Sequence, residues 1–318
     1  MRAIQITEFG GPEVLRLAEV PDPRPGPDEV LIEVERAGVN YADTHRTEDS
    51  YVAATSLPLV PGSEVVGRTP EGRRVAAMLD GGGYAERAAA ARAMVYDVPD
   101  DVDAVTALAM LVQGATAWVL LRRNVHLAEG ESVVVHAAAG GVGSLAVQLA
   151  KAFGAGRVIA TAGTEDKRRL ALELGADAAV DSRAEDMTAA LREANGGRRV
   201  DAVLDMTGGR ITDQSLRALA PFGRLAFYGM ASREAPSPVD LPALLRHSTT
   251  VSGMWLSHAF ALPADVVRRA MAELFDLVRA GRLRVVKGGE YPLEQARRAH
   301  EDLRSRATVG KLALDPTR

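Results

Sequence analysis

Gly130-Glu131-Ser132-Val133-Val134-Val135-His136-Ala137-Ala138-Ala139-Gly140-Gly141-Val142-Gly143-Ser144-Leu145-Ala146-Val147-Gln148-Leu149-Ala150-Lys151 is the stretch whose reading decides the fold. Residues 132 to 137 form a short apolar run rich in β-branched side chains. Small residues follow, with glycine at 140, 141 and 143, and then apolar positions 142, 145, 146 and 149 at helical spacing. That order predicts a strand, a tight turn and a helix. The first turn of such a helix offers unpaired backbone N–H groups and the positive end of the helix dipole, and glycine lets a phosphate reach the main chain. The turn therefore suits an anion. Against the dinucleotide pattern G-x-G-x-x-G the first glycine is replaced, giving Ala138-x-Gly140-x-x-Gly143, and a tight turn that binds nothing is the competing reading. A triphosphate-binding loop needs Lys-Ser or Lys-Thr after its last glycine. Ser144-Leu145 stands there and removes that alternative.

Outward from this turn, strand and helix patterns alternate to about Gly253. Strand-like runs at 157–161, 178–180, 200–204 and 224–228 are separated by helical patterns at 165–174, 185–194 and 211–220. Buried strands separated by ten-residue helices predict an α/β doubly wound parallel sheet, whose ligands lie at the carboxyl ends of the strands. Those ends are Ala137-Ala138-Ala139, Ala162-Gly163-Thr164, Met206-Thr207-Gly208 and Tyr228-Gly229-Met230, small or polar loops suited to a long flat cofactor. An NAD-selective site places Asp or Glu at the end of the second strand to bind the ribose hydroxyls. Ala162-Gly163 stands there instead, while Lys167, Arg168 and Arg183 can supply positive charge to a 2′-phosphate, so the expected cofactor is NADPH. Lys167 and Arg168 also read as ordinary exposed helix residues, and Glu165 and Asp166 weaken the preference.

The flanks differ in texture. Residues 2–98 look β-rich and irregular, with runs at 30–34 and 75–78 and a rigid connector, Pro21-Asp22-Pro23-Arg24-Pro25-Gly26-Pro27. Residues 103–121 carry helical periodicity. Beyond 262 come a long amphipathic helix (264–280), a strand (283–287), a helix (293–303) and a closing strand (309–314). A length of 318 residues predicts two domains. The net charge of −4 gives no global pull toward nucleic acid or an anionic membrane. With no cysteine in the chain, disulfides, thiolate nucleophiles and cysteine-ligated zinc are excluded. The N-terminus lacks a signal-peptide core, and no run is read as approaching the ~18 apolar residues of a membrane span. The expected location is the cytoplasm.

With these segments in place, the chain resembles the zinc-free quinone oxidoreductase (zeta-crystallin-like) branch of the medium-chain dehydrogenase/reductase superfamily. The motifs are Gly38-Val39-Asn40-Tyr41-Ala42-Asp43, Pro61-Gly62-Ser63-Glu64-Val65-Val66-Gly67, Val112-Gln113-Gly114-Ala115-Thr116-Ala117, the glycine turn, Tyr291-Pro292-Leu293 and Ser305-Arg306-Ala307-Thr308-Val309-Gly310. The resemblance implies a GroES-like β-rich catalytic domain (1–112 and 262–318) and an inserted Rossmann NADP-binding domain (113–261). Zinc-dependent relatives carry Cys, His-Glu and a second Cys where this chain has Asn40, Ser63-Glu64 and the Gln113 region. One carboxylate does not make the three-ligand set of a catalytic zinc, so no metal is expected. Hydride transfer to an electron-poor quinone or α,β-unsaturated carbonyl compound fits what remains.

By the same resemblance the nicotinamide is expected between the domains near Asn40, Tyr41 and Thr116, with Tyr228 and Gly229 on its other side. The pyrophosphate is expected on Ala139, Gly140, Gly141 and Val142, and the adenosine end at Gly163, Thr164 and Lys167. A tyrosine that holds the 2′-phosphate in the family is Ser182 here, leaving Ser182 or Arg183 as its substitute, and Arg306 is a further cofactor contact. Proton-donor candidates are His45 and Tyr51, in the loop matching the family's substrate-facing tyrosines; each also reads as an ordinary loop residue. His136 reads as a satisfied core histidine. The resemblance implies a homodimer joined at the apolar edge 250–254. Competing functions are a 2-enoyl-thioester reductase and a non-catalytic NADPH- or RNA-binding protein; the acidic charge and the lack of a basic, aromatic-interleaved patch argue against RNA.

Overall fold

The computed structural model describes residues 1–262 and 266–318. It divides into two units, Met1–Val112 with Val285–Arg318, and Gln113–Arg284. The first opens with an antiparallel pair, β1 (Arg2–Gln5) and β2 (Arg16–Glu19). The long strand β3 (Glu29–Val39) then leads into helix α1 (Tyr41–Thr47), followed by β4 (Glu64–Arg68), β5 (Arg74–Met78), β6 (Arg87–Ala91) and β7 (Val95–Asp97). Val30, Ile32 and Val34 of β3 alternate inward, the period of a strand with one buried face. The strand runs five residues beyond the apolar run read from sequence, because its partners change along it: β6 pairs with Glu29–Glu33 and β4 with Glu33–Ala37. Such exchange of partners leaves no local signature.

The second unit is entered within a continuous helix, Ala104–Asn124. Its α-helical parts α2 (Ala104–Ala109) and α3 (Ala115–Val119) are joined and followed by π-helical turns. By length and composition this helix does pass as a membrane span, with a mean hydropathy of 1.8 over its most apolar window, contrary to the sequence reading. That window is 89% buried inside the protein, which explains its apolarity as core packing. The alternating segments then fold as β8 (Ser132–Val135), α4 (Gly141–Ala152), β9 (Arg157–Ala162), α5 (Glu165–Glu173), β10 (Ala178–Asp181), α6 (Met187–Ala194), β11 (Val200–Asp205), α7 (Gly209–Ala218), β12 (Leu219–Phe227), α8 (Leu241–His247) and β13 (Thr250–Gly253). The six strands pair in parallel in the order β10-β9-β8-β11-β12-β13. This is the doubly wound dinucleotide-binding order, reversing direction at β8. Val134, Ile159, Val203 and Leu225 fill its core with Met187, Leu191 and Ile211 from the helices.

Helix α9 (Leu256–Phe260) and helix α10 (Val266–Arg279) follow. The first residues expected for the latter, at 264, lie outside the described ones. α10 buries Val267, Ala270, Met271 and Leu274, and Trp118 of α3 donates to its Glu273 at 2.6 Å. It therefore belongs to the second unit, and the division falls after Arg284, where the expected boundary was 261/262. The Gln148 amide closes the unit, donating to Arg284 O and accepting from Arg284 N, both at 2.9 Å. The chain then returns to the first sheet as β14 (Lys287–Pro292), α11 (Ala296–Arg304) and β15 (Lys311–Asp315). The strand expected at 283–287 begins only at Lys287, where the ladder with β15 starts, because the preceding backbone is engaged by Gln148. β15 pairs parallel with β14 and antiparallel with β3.

Candidate functional site

In the second unit β8 ends at Val135 and the chain turns sharply. Ala137 carries the left-handed backbone (φ +51°) and Gly140 caps α4. The missing first glycine of the pattern is thus tolerated, because the left-handed residue is Ala137 and Ala138 is not asked to adopt that conformation. Gly143 is required by packing: a Cβ there would lie 2.3 Å from Ala137 O and 2.7 Å from Ala138 Cα. Ala139 is buried, while Gly140, Gly141 and Val142 are half-buried at the head of α4, where helical N–H groups lack intrahelical acceptors. His136 spends both ring nitrogens internally, on Thr161 Oγ1 at 2.9 Å and Ser215 Oγ at 2.8 Å, and burial holds its imidazole below the usual range. Thr116 is buried in α3.

At the neighbouring strand ends, Gly163 and Thr164 lead into α5, with Thr164 Oγ1 accepting from Lys167 N at 3.3 Å. Lys167 is half-buried, which lowers its ammonium pKa. Ser182 N donates to Ala162 O at 3.1 Å, bringing the loop after β10 beside Gly163. Arg183, one of the two expected substitutes at the 2′-phosphate, pairs with Asp181: Nε to Oδ1 at 3.1 Å and NH2 to Oδ2 at 2.9 Å. Arg168 holds the same carboxylate at 3.1 Å, and these contacts keep Asp181 well below the usual range, the Arg183 hydrogen bonds foremost. Asp181 was not singled out in the sequence; its signal is a carboxylate closing the third strand two positions before Arg183. Further along, Tyr228 N donates to the backbone O of Asp205 at 2.9 Å, and burial followed by the Asp205 charge pushes the Tyr228 phenol up. Gly229 packs against Met206, 3.3 Å from where its Cβ would stand.

In the first unit the register of three strands gathers a charged cluster. β15 places Leu312 opposite Val39, and β4 places Val65 opposite Ala37, so Lys311, Glu64 and Asn40 meet at one end of β3. Asn40 Nδ2 donates to Glu64 Oε1 at 2.8 Å, the Lys311 ammonium donates to Asn40 Oδ1 at 3.3 Å, and Lys311 pairs directly with Glu64 Oε1. Glu64 is 0% and Lys311 2% exposed. Asn40 also caps α1: Asp43 Oδ2 accepts its backbone N–H at 2.8 Å in a capping box. α1 carries Tyr41 and His45 on one face, rings 5.5 Å apart and edge-on, and His45 Nδ1 meets Ser50 Oγ at 2.8 Å. The Tyr51 ring lies under the Arg46 guanidinium, 5.4 Å away. Asn40, Tyr41 and His45 are therefore assembled on one short helix. Arg306 lies apart from them in sequence, exposed and left-handed (φ +57°) between α11 and β15.

Behind α1, Asp43 also accepts from Tyr84 Oη at 3.2 Å and Ser63 Oγ at 3.4 Å, and Tyr84 Oη meets His300 Nε2 at 3.0 Å. Burial raises Asp43 to about 6, with the Glu64 charge adding to it and the Asn40 N–H, Lys311 and Tyr84 opposing. Burial, aided by Arg304, lowers His300 to about 4. These act on stability with opposite signs. Folded Asp43 keeps a proton that the unfolded chain releases between pH 3.8 and about 6, so its contribution, about 3 kcal/mol, is lost as pH rises through that window. Folded His300 refuses a proton that the unfolded chain takes up below 6.5, so stability is gained as pH rises from about 4 to 6.5. Relative to the wild type between pH 4 and 6.5, Asp43→Asn should make stability rise more steeply with pH and His300→Gln less steeply, measured by urea unfolding at each pH; parallel profiles for all three proteins would refute the assignment.

Comparison with known proteins follows the two units. Residues 26–100 match the family described as alcohol dehydrogenase GroES-like domain and residues 141–276 the family described as zinc-binding dehydrogenase. The quinone oxidoreductase of Lama guanicoe is 35% identical over 327 aligned positions, covering 99% of this chain and 97% of that protein. Among solved structures, a mycobacterial protein complexed with NADPH superimposes with a TM-score of 0.92 at 37% identity, over 99% of this chain and all of the other. The Escherichia coli quinone oxidoreductase complexed with NADPH gives 0.92 at 32% identity over the same shares. The name of the second family implies zinc, and the donor set does not fit it. Asn40, Ser63 and Glu64 offer one carboxylate already paired with a buried ammonium. Among the described residues no three His, Cys, Asp or Glu side chains are gathered so as to hold a metal ion.

Proposed function

We propose, from the premise that this chain belongs to the quinone oxidoreductase family of the medium-chain dehydrogenases/reductases, that it reduces a quinone or an α,β-unsaturated carbonyl compound with NADPH and without a metal ion. The observation that carries the acceptor class is the buried Lys311–Glu64–Asn40 cluster, which leaves no Lewis acid to polarise an unactivated carbonyl. An acceptor that is already electron-poor needs none. Bound NADPH supplies hydride. The residues that would hold it are the half-buried head of α4 for the pyrophosphate, and Lys167 with the Ser182 hydroxyl for the 2′-phosphate. Arg183 and Arg168 act there through Asp181, as a neutralised frame around the phosphate. Tyr41, His45 and Tyr51 form the acceptor side, where positioning and exclusion of water supply most of the rate. His45, with its Nδ1 tied to Ser50 Oγ, and Tyr51 are the proton-donor candidates on this face.

The test is the loss of NADPH absorbance with 1,4-benzoquinone, an enone and crotonyl-CoA, in chelator-treated protein. Turnover with either of the first two is expected; reduction of crotonyl-CoA alone would favour an enoyl-thioester reductase. Lys167→Ala should weaken NADPH binding about tenfold and leave NADH binding unchanged, the loss of one charge-assisted contact. Equal effects on both cofactors, by fluorescence titration, would refute the role of Lys167. The proposal includes a homodimer. β13 ends the six-stranded sheet with one side bonded to β12, and Leu241 and Leu245 of α8 stand 71% and 83% exposed. A second copy would cover such an edge.

A further inference from the structure

We infer that Lys311 is a positioning residue for the reduction: its tethered ammonium takes the place of a metal ion and fixes the orientation of Asn40 at the head of α1. The inference rests on the reductase reading above, and the observations that carry it are separate from that reading. β15, β3 and β4 bring together three side chains that are far apart in sequence, and all three are buried. The site is shaped for the carboxylate: a Cβ at Gly38 would stand 2.1 Å from Glu64 Oε1. An ammonium is a compact charge with three donors, of which one meets Glu64 Oε1 and one meets Asn40 Oδ1. Asn40 in turn donates Nδ2 to the same carboxylate oxygen. The three groups close a ring in which the amide has one permitted sense, since a flip would set its NH2 against the ammonium and its oxygen against the carboxylate. Glu64 Oε2 has no hydrogen-bond partner among the described residues, so the orientation of the carboxylate depends on what holds Oε1.

The consequence passes to the acceptor face through covalent neighbours. Asn40 is the N-cap of α1, and Tyr41 and His45 follow on the first and second turns. Without the ammonium the amide loses its fixed sense, and the cap that aims α1 loosens. The pyrophosphate and the 2′-phosphate, which the reading above puts on the head of α4 and the loops after β9 and β10, do not draw on this cluster.

The experiment compares the wild type with Lys311→Met and with Lys311→Met/Glu64→Gln, which removes both charges and so preserves folding if the single variant fails to fold. Thermal unfolding, the NADPH dissociation constant, and kcat and KM for 1,4-benzoquinone are measured on each. In the folded double variant kcat is expected to fall about tenfold or more, with KM and the NADPH dissociation constant changed less than about threefold, the pattern of a lost transition-state alignment. A double variant with wild-type kcat shows that Lys311 only stabilises, and overturns the inference. So does wild-type protein that retains stoichiometric zinc after dialysis against a chelator. Wild-type protein that binds NADPH and reduces none of the acceptors overturns the reductase reading itself, and the inference with it.

Discussion

Gly143→Ala is expected to lower the stability of the second unit by about 3 kcal/mol and to weaken NADPH binding about tenfold. The added methyl would meet two backbone atoms, Ala137 O at 2.3 Å and Ala138 Cα at 2.7 Å, and no flexible side chain can move aside to admit it. Relief requires the helix to withdraw from the turn or the turn to open, and overpacking of this kind costs about 1–3 kcal/mol, more where backbone must shift. For a unit of this size the melting temperature should drop by about 10 °C. The same displacement moves the half-buried N–H groups at the head of α4 away from the pyrophosphate, so affinity falls with stability. A variant that melts with the wild type and binds NADPH equally well would show that the turn is not close-packed. Gly140, whose Cβ would meet Ala137 O at 3.2 Å, should tolerate alanine better, which provides the internal control.

Glu64→Gln should cost about 3–5 kcal/mol in the first unit, the penalty for leaving a buried charge without its partner. The Lys311 side chain is 1% exposed and is held between β3 and β14, so its ammonium has no route to water without parting the ladder of β15. A glutamine can accept from it but cannot neutralise it. Urea unfolding followed by far-UV circular dichroism measures the loss. Combining the change with Lys311→Met should recover most of it, because two neutral groups replace two opposed charges. Additive losses in the double variant would mean that the two side chains are not coupled.

Local pattern made the second unit legible in the sequence. The strands of its sheet are announced by apolar runs of three to six residues and the helices from α4 to α7 by their periodicity, and parallel order follows from the alternation. The glycine turn was legible for the same reason, and NADPH with it. The first unit hides more. β4 and β6 were not among the runs read from sequence, because their meaning lies in which part of β3 they pair with. The cluster around Asn40 joins residues separated by 24 and 247 positions, and Tyr84 meets His300 across 216. Asn40 and Glu64 were reached through family motifs, whereas Lys311, inside the closing strand read over 309–314, was not singled out. The one available hint was a lysine set directly against an apolar run with glycine before it. The grip of Arg183 on its own strand's last carboxylate was not legible, because a cation near a phosphate site and a cation paired with Asp181 look alike in the sequence.

Of the described strands β15 is synthesised last, and it supplies both the cation for Glu64 and the partner of β3 over Ala37–Val39. The segment 113–284 is contiguous and can complete its fold as soon as it emerges. The earlier segment, 1–112, must wait through all of that synthesis with an open ladder and an uncompensated carboxylate. Nascent chains halted before residue 311 should therefore protect the dinucleotide-binding unit from protease while leaving the N-terminal strands open to it.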